Sequence, residues 1–322
     1  MREMEKKKKM TVTIRPLREN DLATARRIIS LAFGTFLGAA EPEKFWADLD
    51  YAGTRWRADP SSAFGAEMCG QLVGSNFATQ WGSVGFFGPL TVRPGLWDQG
   101  IGKRLMEPIM ECFERWKVTH AGLFTFAHSA KHIALYQKYG FWPRFLTAIT
   151  SKPVQPTKSD ARWSTYSEIS ETERDRCLKA CRSLTDALCA GLDVEREIRA
   201  VHTQGLGETV LLWSDRELAG FAVCHCGPGT EAGSNKCYVK FGAVQHGSTS
   251  GSLFDRLLDA CENLAATRGM SRLEGGVNLA RHEAYRKMLE RGFRTDIQGV
   301  TMHRPNEPGY NRPGVYVIDD WR

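Results

Sequence analysis

One stretch restricts the fold of this chain more than any other: Leu90-Thr-Val-Arg-Pro-Gly-Leu-Trp-Asp-Gln-Gly-Ile-Gly-Lys-Arg-Leu105. A β-prone run ends at Pro94, a glycine-containing loop follows, and an amphipathic helix opens near Gly100 with Leu105, Ile109, Phe113 and Trp116 on one face. That order brings the unpaired N–H groups of the first helical turn, and the positive end of the helix dipole, to the loop. Gly100 and Gly102 keep Cβ atoms away from those donors, and Lys103 adds a positive charge in the first turn. Such a loop suits a diphosphate. It is not a Walker loop, because Lys103 arrives two positions late, and Leu105 stands where a dinucleotide fingerprint needs glycine.

The stretch resembles the pyrophosphate-binding motif of the GNAT superfamily of acyl-CoA-dependent N-acyltransferases. Val92, Pro94, Gly100, Gly102 and Leu105 match it, whereas Trp97 occupies the usual Arg/Gln position. A second segment, Ser129-Ala-Lys-His-Ile-Ala-Leu-Tyr-Gln-Lys-Tyr-Gly-Phe141, is similar to the family's Asn-x-x-Ala-x-x-x-Tyr-x-x-x-Gly-Phe pattern. Tyr136, Gly140 and Phe141 agree in spacing; Ser129 and His132 replace Asn and Ala. The resemblance implies a cradle at Gln99, Gly100, Ile101, Gly102 and Lys103, a pantetheine contact at Ser129, and acetyl-CoA as acyl donor. It also implies that Leu90, Thr91 and Val92 lie on a bulged strand whose backbone N–H groups polarise the thioester carbonyl. Tyr136 would protonate the departing thiolate. The acidic residue that many members carry two positions before the strand's Leu is Gly88 here.

At 322 residues the chain has room for two domains. No apolar run approaches a membrane span, and residues 1–10, with the lysine run Lys6 to Lys9, lack the apolar segment of a secretion signal; both point to a cytoplasmic protein. The net charge of +6 belongs to residues 1–150, which hold 20 Lys and Arg against 14 Asp and Glu, while the rest balances at 23 each. This mild field suits a phosphate-bearing ligand and is too diffuse for nucleic acid. Nine cysteines show no paired framework. Cys224-His225-Cys226 invites a metal reading, but the run Leu218 to Cys226 alternates like a strand and turns His225 away from both thiols, so no metal is expected.

Along the chain, Thr11 to Pro16 reads as a strand, and Asp21 precedes a helical stripe of Leu22, Ala25, Ile28, Ile29 and Phe33. The aromatic-rich segment Glu41 to Pro60 is a candidate wall for an acceptor pocket. Phe86 to Val92 reads as a strand that Pro89 must bulge, next to a strand at Leu123 to Phe126. After a strand ending at Thr150, residues 151–162, with Pro153 and Pro156, mark a linker.

The second half repeats the first in outline. Thr209 to Gly220 copies the hairpin at Ala66 to Gly74, Tyr238 to Val244 the strand before the cradle, Leu253 to Leu264 the amphipathic helix, and Gly292-Phe293 the Gly-Phe ending. The expected fold class is therefore α/β, two tandem GNAT-like domains at 11–150 and 163–322. Each is a mixed, mostly antiparallel sheet flanked by helices, with a splayed parallel strand pair. The second cradle, Gln245-His-Gly-Ser-Thr-Ser-Gly-Ser252, has lost the proline and the basic residue, and Met288 stands where the first half has Tyr136. A thioether donates no proton, so chemistry is expected only in the first half.

Acyl transfer needs a neutral amine, a polarised carbonyl and a protonated leaving group. Tyr136 is the candidate acid; His128, just past the strand at 123–126, and Glu67 are alternative bases, with water as a third. The expected activity is transfer of an acetyl group from acetyl-CoA to a primary amine, on a small molecule or a peptide, by a monomer or homodimer. The competing readings are a non-catalytic acyl-CoA-binding module or sensor, and other thioester chemistry on the same fold.

Overall fold

The computed structural model describes residues 11–155, 162–215 and 217–322, so the lysine run and the middle of the linker lie outside the described residues. The first half runs β1 (Val12–Pro16), α1 (Leu22–Phe36), α2 (Tyr51–Ala58), β2 (Ala63–Met68), β3 (Gln71–Trp81), β4 (Val84–Phe87), β5 (Thr91–Val92), α3 (Ile101–Arg115), β6 (His120–Thr125), α4 (Ala130–Gln137) and β7 (Trp142–Pro153). The second continues with β8 (Trp163–Thr165), α5 (Glu171–Leu188), α6 (Glu195–Gln204), β9 (Gly207–Ser214), β10 (Glu217–Gly227), β11 (Gly233–Val244), α7 (Ser250–Thr267), β12 (Arg272–Asn278), α8 (His282–Glu290), β13 (Arg294–Arg304) and β14 (Val317–Ile318).

All strands join one mixed α/β sheet in the order β1-β2-β3-β4-β6-β13-β7-β12-β11-β10-β9-β8, with β5 on β3 and β14 on β11. The centre is interleaved. The last strand of the second half, β13, lies between β6 and β7 of the first, and β7 pairs onward to β12. β7 also extends to Pro153, three residues into the segment read as linker, because Ser151 to Pro153 complete the ladder with Arg272 to Glu274.

Apolar periodicity decides which helix covers which face. Ile101, Leu105, Met106, Ile109, Cys112 and Phe113 line the inner face of α3, and Ala25, Ile28, Ile29 and Ala32 that of α1. Through α3 and α4 one side of the first half packs on Ala78, Phe87 and Leu123; α1 and α2 cover Phe77 on the other. Trp81, Val84 and Phe86 share a core with Leu178, Leu184, Ile198 and Phe241 of the second half. On β10 the thiols of Cys224 and Cys226 face α7 with Cys237 and Cys261, while His225 points to the opposite side, as the alternation requires. Among the described residues no two cysteines form a disulfide. Among the described residues no helix is long and apolar enough to cross a membrane, and no three His, Cys, Asp or Glu side chains are grouped to hold a metal ion.

Candidate active site

The strand expected from Phe86 to Val92 is two strands. Ala78 faces Phe87 and Ser75 faces Thr91, so three residues of one chain, Gly88, Pro89 and Leu90, stand opposite two of β3. The physical cause is Pro89, which has no N–H to continue the ladder; the extra residue is a bulge. β4 runs parallel to β6 through Val84–His120, Gly85–Ala121 and Phe86–Gly122, and pairing ends there. Beyond it a gap opens between the segment at 87–92 and the end of β6. Thr91 pairs with Ser75, and the Arg93 N–H donates to the Val73 carbonyl at 2.8 Å. Alternation along the strand therefore turns the N–H groups of Leu90 and Val92 away from β3, toward the gap.

The N-terminus of α3 stands beside this gap. Gly100 caps it at φ 76° in the left-handed region that favours glycine. A Cβ added at Gly100 would meet nothing within 4 Å, and one at Gly102 would touch only Leu135 and Leu90 at 3.8 and 4.0 Å. Gln99, Gly100 and Lys103 are exposed, while the Ile101 side chain is buried and offers only its backbone. Trp97, at the position where the family pattern carries Arg or Gln, plays a structural part. Its indole N–H donates to the Val92 carbonyl at 2.7 Å and ties loop to strand. Lys131 lies 6.0 Å from the Trp97 ring and pairs with Asp98 at 2.5 Å, which offsets the one carboxylate of the loop.

Tyr136 is buried in α4 with its ring 5.6 Å from that of Phe87, the last residue before the bulge. Burial raises its pKa, so the phenol stays protonated at neutral pH. Its hydroxyl has no hydrogen-bond partner among the described residues. Ser129 is buried, with its hydroxyl 2.9 Å from His132 Nδ1. Burial, with Lys131 and His128 nearby, lowers the pKa of His132. His128 is exposed and stacks on Phe36 of α1 at 5.6 Å and 15°. Phe36 also meets Phe126 and His132, and Phe33 meets Trp46 and Phe126, so an aromatic wall built from α1, Trp46 and the residues after β6 stands at the end of the gap. Thr91 is buried, its hydroxyl 3.4 Å from that of Ser75. Glu67 is not brought to the gap: it lies on β2, beyond β3, and accepts from Arg15 Nε at 2.7 Å.

Residues 25–141 match the model of the GNAT acetyltransferase family. The match covers this part of the chain alone. Likeness to solved structures extends over nearly the whole chain and concerns the fold alone. A chain from Pyrococcus horikoshii is 14% identical with a TM-score of 0.68, covering 96% of this chain and 95% of that one. A GCN5-related N-acetyltransferase from Sphaerobacter thermophilus is 14% identical at a TM-score of 0.61, with coverages of 92% and 96%. Another from Anabaena variabilis is 12% identical at 0.53, with coverages of 91% and 72%. No curated protein sequence matches the chain.

The second gap is closed by its own chain. β11 and β12 run parallel from Lys236–Arg272 to Val239–Gly275, and then β11 pairs with β14, Gly242 with Ile318 and Ala243 with Val317. The segment at 317–322 thus fills the space that stays open in the first half. A Cβ at Gly276 would meet Asp320 at 2.1 Å, and one at Gly275 would meet Ile318 at 2.9 Å.

Sequence reasoning also missed a buried ionic network beside the first gap. Arg55 of α2 donates through Nε and Nη2 to Glu231, each at 2.9 Å; Lys240 lies 2.9 Å from Glu231 and 2.8 Å from Glu197. Burial alone would raise both carboxyls. Arg55 and Lys240 hold Glu231 well below the usual range, and Lys240 and His225 bring Glu197 to about 2. A cleft of about 40 Å³ lined by Thr54, Arg55, Thr79, Glu197 and Lys240 adjoins the network. A wider cleft of about 430 Å³ lies at the far end of α3, near Trp116 and Lys117. The one signal in the sequence was Lys240, a charge inside the apolar run Tyr238 to Val244.

Proposed function

We propose that the first half, residues 11–150, transfers an acetyl group from acetyl-CoA to a primary amine of a small molecule or peptide. The observation that carries this reading is the conjunction of an open strand gap with an exposed, glycine-capped helix N-terminus, both inside the segment that matches the family model. In this reading Gln99 to Lys103 present backbone N–H groups and one ammonium to the pyrophosphate. The N–H groups of Leu90 and Val92 polarise the thioester carbonyl. Ser129 lies beside the pantetheine arm. Tyr136, kept protonated by its burial, donates to the leaving sulfur. Bound acetyl-CoA supplies the activated acyl group and nothing else.

His128 is the better placed base, since it is exposed on the rim of the aromatic wall while Glu67 is engaged by Arg15. The second half, 163–322, serves as structure: its gap is filled by its own chain and its cradle lacks charge. The test is free thiol released from acetyl-CoA on addition of an amine panel. Amine-dependent thiol release supports the reading; tight acetyl-CoA binding with no release toward any amine favours the non-catalytic module.

A further inference from the structure

The bulge that opens the first gap is held from the second half of the molecule. After Phe87 the chain needs three residues to reach Thr91 where β3 uses two, and Pro89 contributes no N–H to the ladder. The carbonyl of Gly88 is left at the start of the bulge. It accepts from Nη1 of Arg55 at 2.7 Å, a short charge-assisted bond. The other nitrogens of the same guanidinium are committed elsewhere: Nε and Nη2 form the bidentate pair with Glu231, and Nη2 also reaches the Arg322 carbonyl at 2.5 Å. Glu231 is fixed in turn by Lys240 and by the Thr54 hydroxyl at 3.3 Å. Arg322 stacks on Tyr238 at 3.9 Å and pairs with Glu274 at 2.7 Å. A planar guanidinium is the side chain that joins three such acceptors at once; an ammonium lacks the fixed fork.

We infer that Arg55 is a positioning residue for the acyl transfer proposed above. It pins the Gly88 carbonyl and thereby sets where the N–H groups of Leu90 and Val92 stand in the gap, and its own aim is fixed by Glu231 and Arg322. Through this side chain the second half acts on the reaction without touching the reacting atoms. Misplacing oxyanion donors by a fraction of an ångström weakens a bond that matters in the transition state and leaves the distant pyrophosphate contacts alone. The signature is therefore a fall in kcat with little change in acetyl-CoA affinity.

The experiment compares the full-length protein with Arg55→Lys, which keeps the charge opposite Glu231, and with Glu231→Gln, which keeps the shape and releases the fork. Each is measured for acetyl-CoA affinity, kcat with the best amine, and amide hydrogen exchange in peptides covering 86–93. The expected result for both is a kcat lowered roughly tenfold or more, a dissociation constant within about threefold of wild type, and faster exchange confined to 86–93. Unchanged kcat, or acetyl-CoA affinity lost in step with kcat, overturns the inference. If the wild-type protein acetylates no amine, the reading of its function fails separately. Exchange at 86–93 then decides the positioning role alone: acceleration in both variants retains it, and unaltered exchange removes it.

Discussion

The two strand gaps of this molecule start alike and end differently. In each, a pair of parallel strands runs side by side for three or four residues and then separates, at Phe86–Gly122 in the first half and at Val239–Gly275 in the second. The first gap has a bulge on one arm, Tyr136 packed on Phe87, and an exposed helix N-terminus with two small residues. The second has β14 laid along β11, with Met288 fully buried at the Tyr136 position. An unpaired strand edge inside a protein leaves N–H and C=O groups that need partners. The second half satisfies its edge with its own chain; in the proposed reading the first leaves its edge to acetyl-CoA. The two halves offer similar strand pairs, and the proposed reading takes the half whose gap stays open as the binding half and the half whose gap is filled as the supporting one.

The largest expected effect comes from closing the first gap's cradle. Gly100→Glu places a carboxylate where the pyrophosphate would lie and strains a left-handed backbone, and acetyl-CoA binding should fall below detection. Gly100→Ala carries the strain without the charge, about 1–2 kcal/mol, and should bind with reduced affinity. Equal binding by wild type and the Glu variant in calorimetric titration would remove Gly100 from the site.

Next in size is Tyr136→Phe, which deletes a hydroxyl that bonds to nothing among the described residues. Turnover should drop by about 10²–10⁴-fold, the usual contribution of a positioned acid, with acetyl-CoA affinity nearly unchanged. A steady-state rate equal to wild type would show that water protonates the thiolate.

Opening the second gap should cost stability and not function. Ile318 is fully buried between β11 and the core, so Ile318→Ala should lower unfolding free energy by about 2–5 kcal/mol. Acetyl-CoA affinity of the folded protein should stay as it was. A new binding event in this variant would mean that β14 hides a working second site.

The smallest effect concerns the seam between the halves, where His120 of β6 and His303 of β13 stand 2.9 Å apart. Burial, helped by Arg144, brings His120 to about 4; burial, with His120 and Arg144, brings His303 to about 3. Both lie below the unfolded value of about 6.5. The unfolded chain therefore binds more protons between roughly pH 6.5 and pH 3, and stability falls as pH is lowered through that window. His303→Gln should flatten the acid limb of urea midpoints measured against pH; an identical slope would place the acid sensitivity elsewhere.

What the sequence made legible is local. Pro89 announced the bulge, Gly100 the start of α3, and the alternation around Cys224 the separation of thiols from His225. Each rests on a few adjacent residues and a backbone rule. What stayed hidden depends on partners far apart in the chain. Arg55 and Glu231 are 176 residues apart, and neither has a neighbour that betrays the pair. The placing of β13 between β6 and β7 follows from which edge is free once both halves are folded, and periodicity carries no such information. The two residues of β14 are too few for any pattern. Trp97 was legible only as a departure; its bond to the Val92 carbonyl explains why the loop tolerates it.

The contrast between an open gap and a filled one is tested most directly by the stoichiometry of acetyl-CoA binding to the full-length wild-type protein, measured by isothermal titration. One site per chain is the expected result. Two sites per chain, or none, would contradict the division into a binding half and a supporting half.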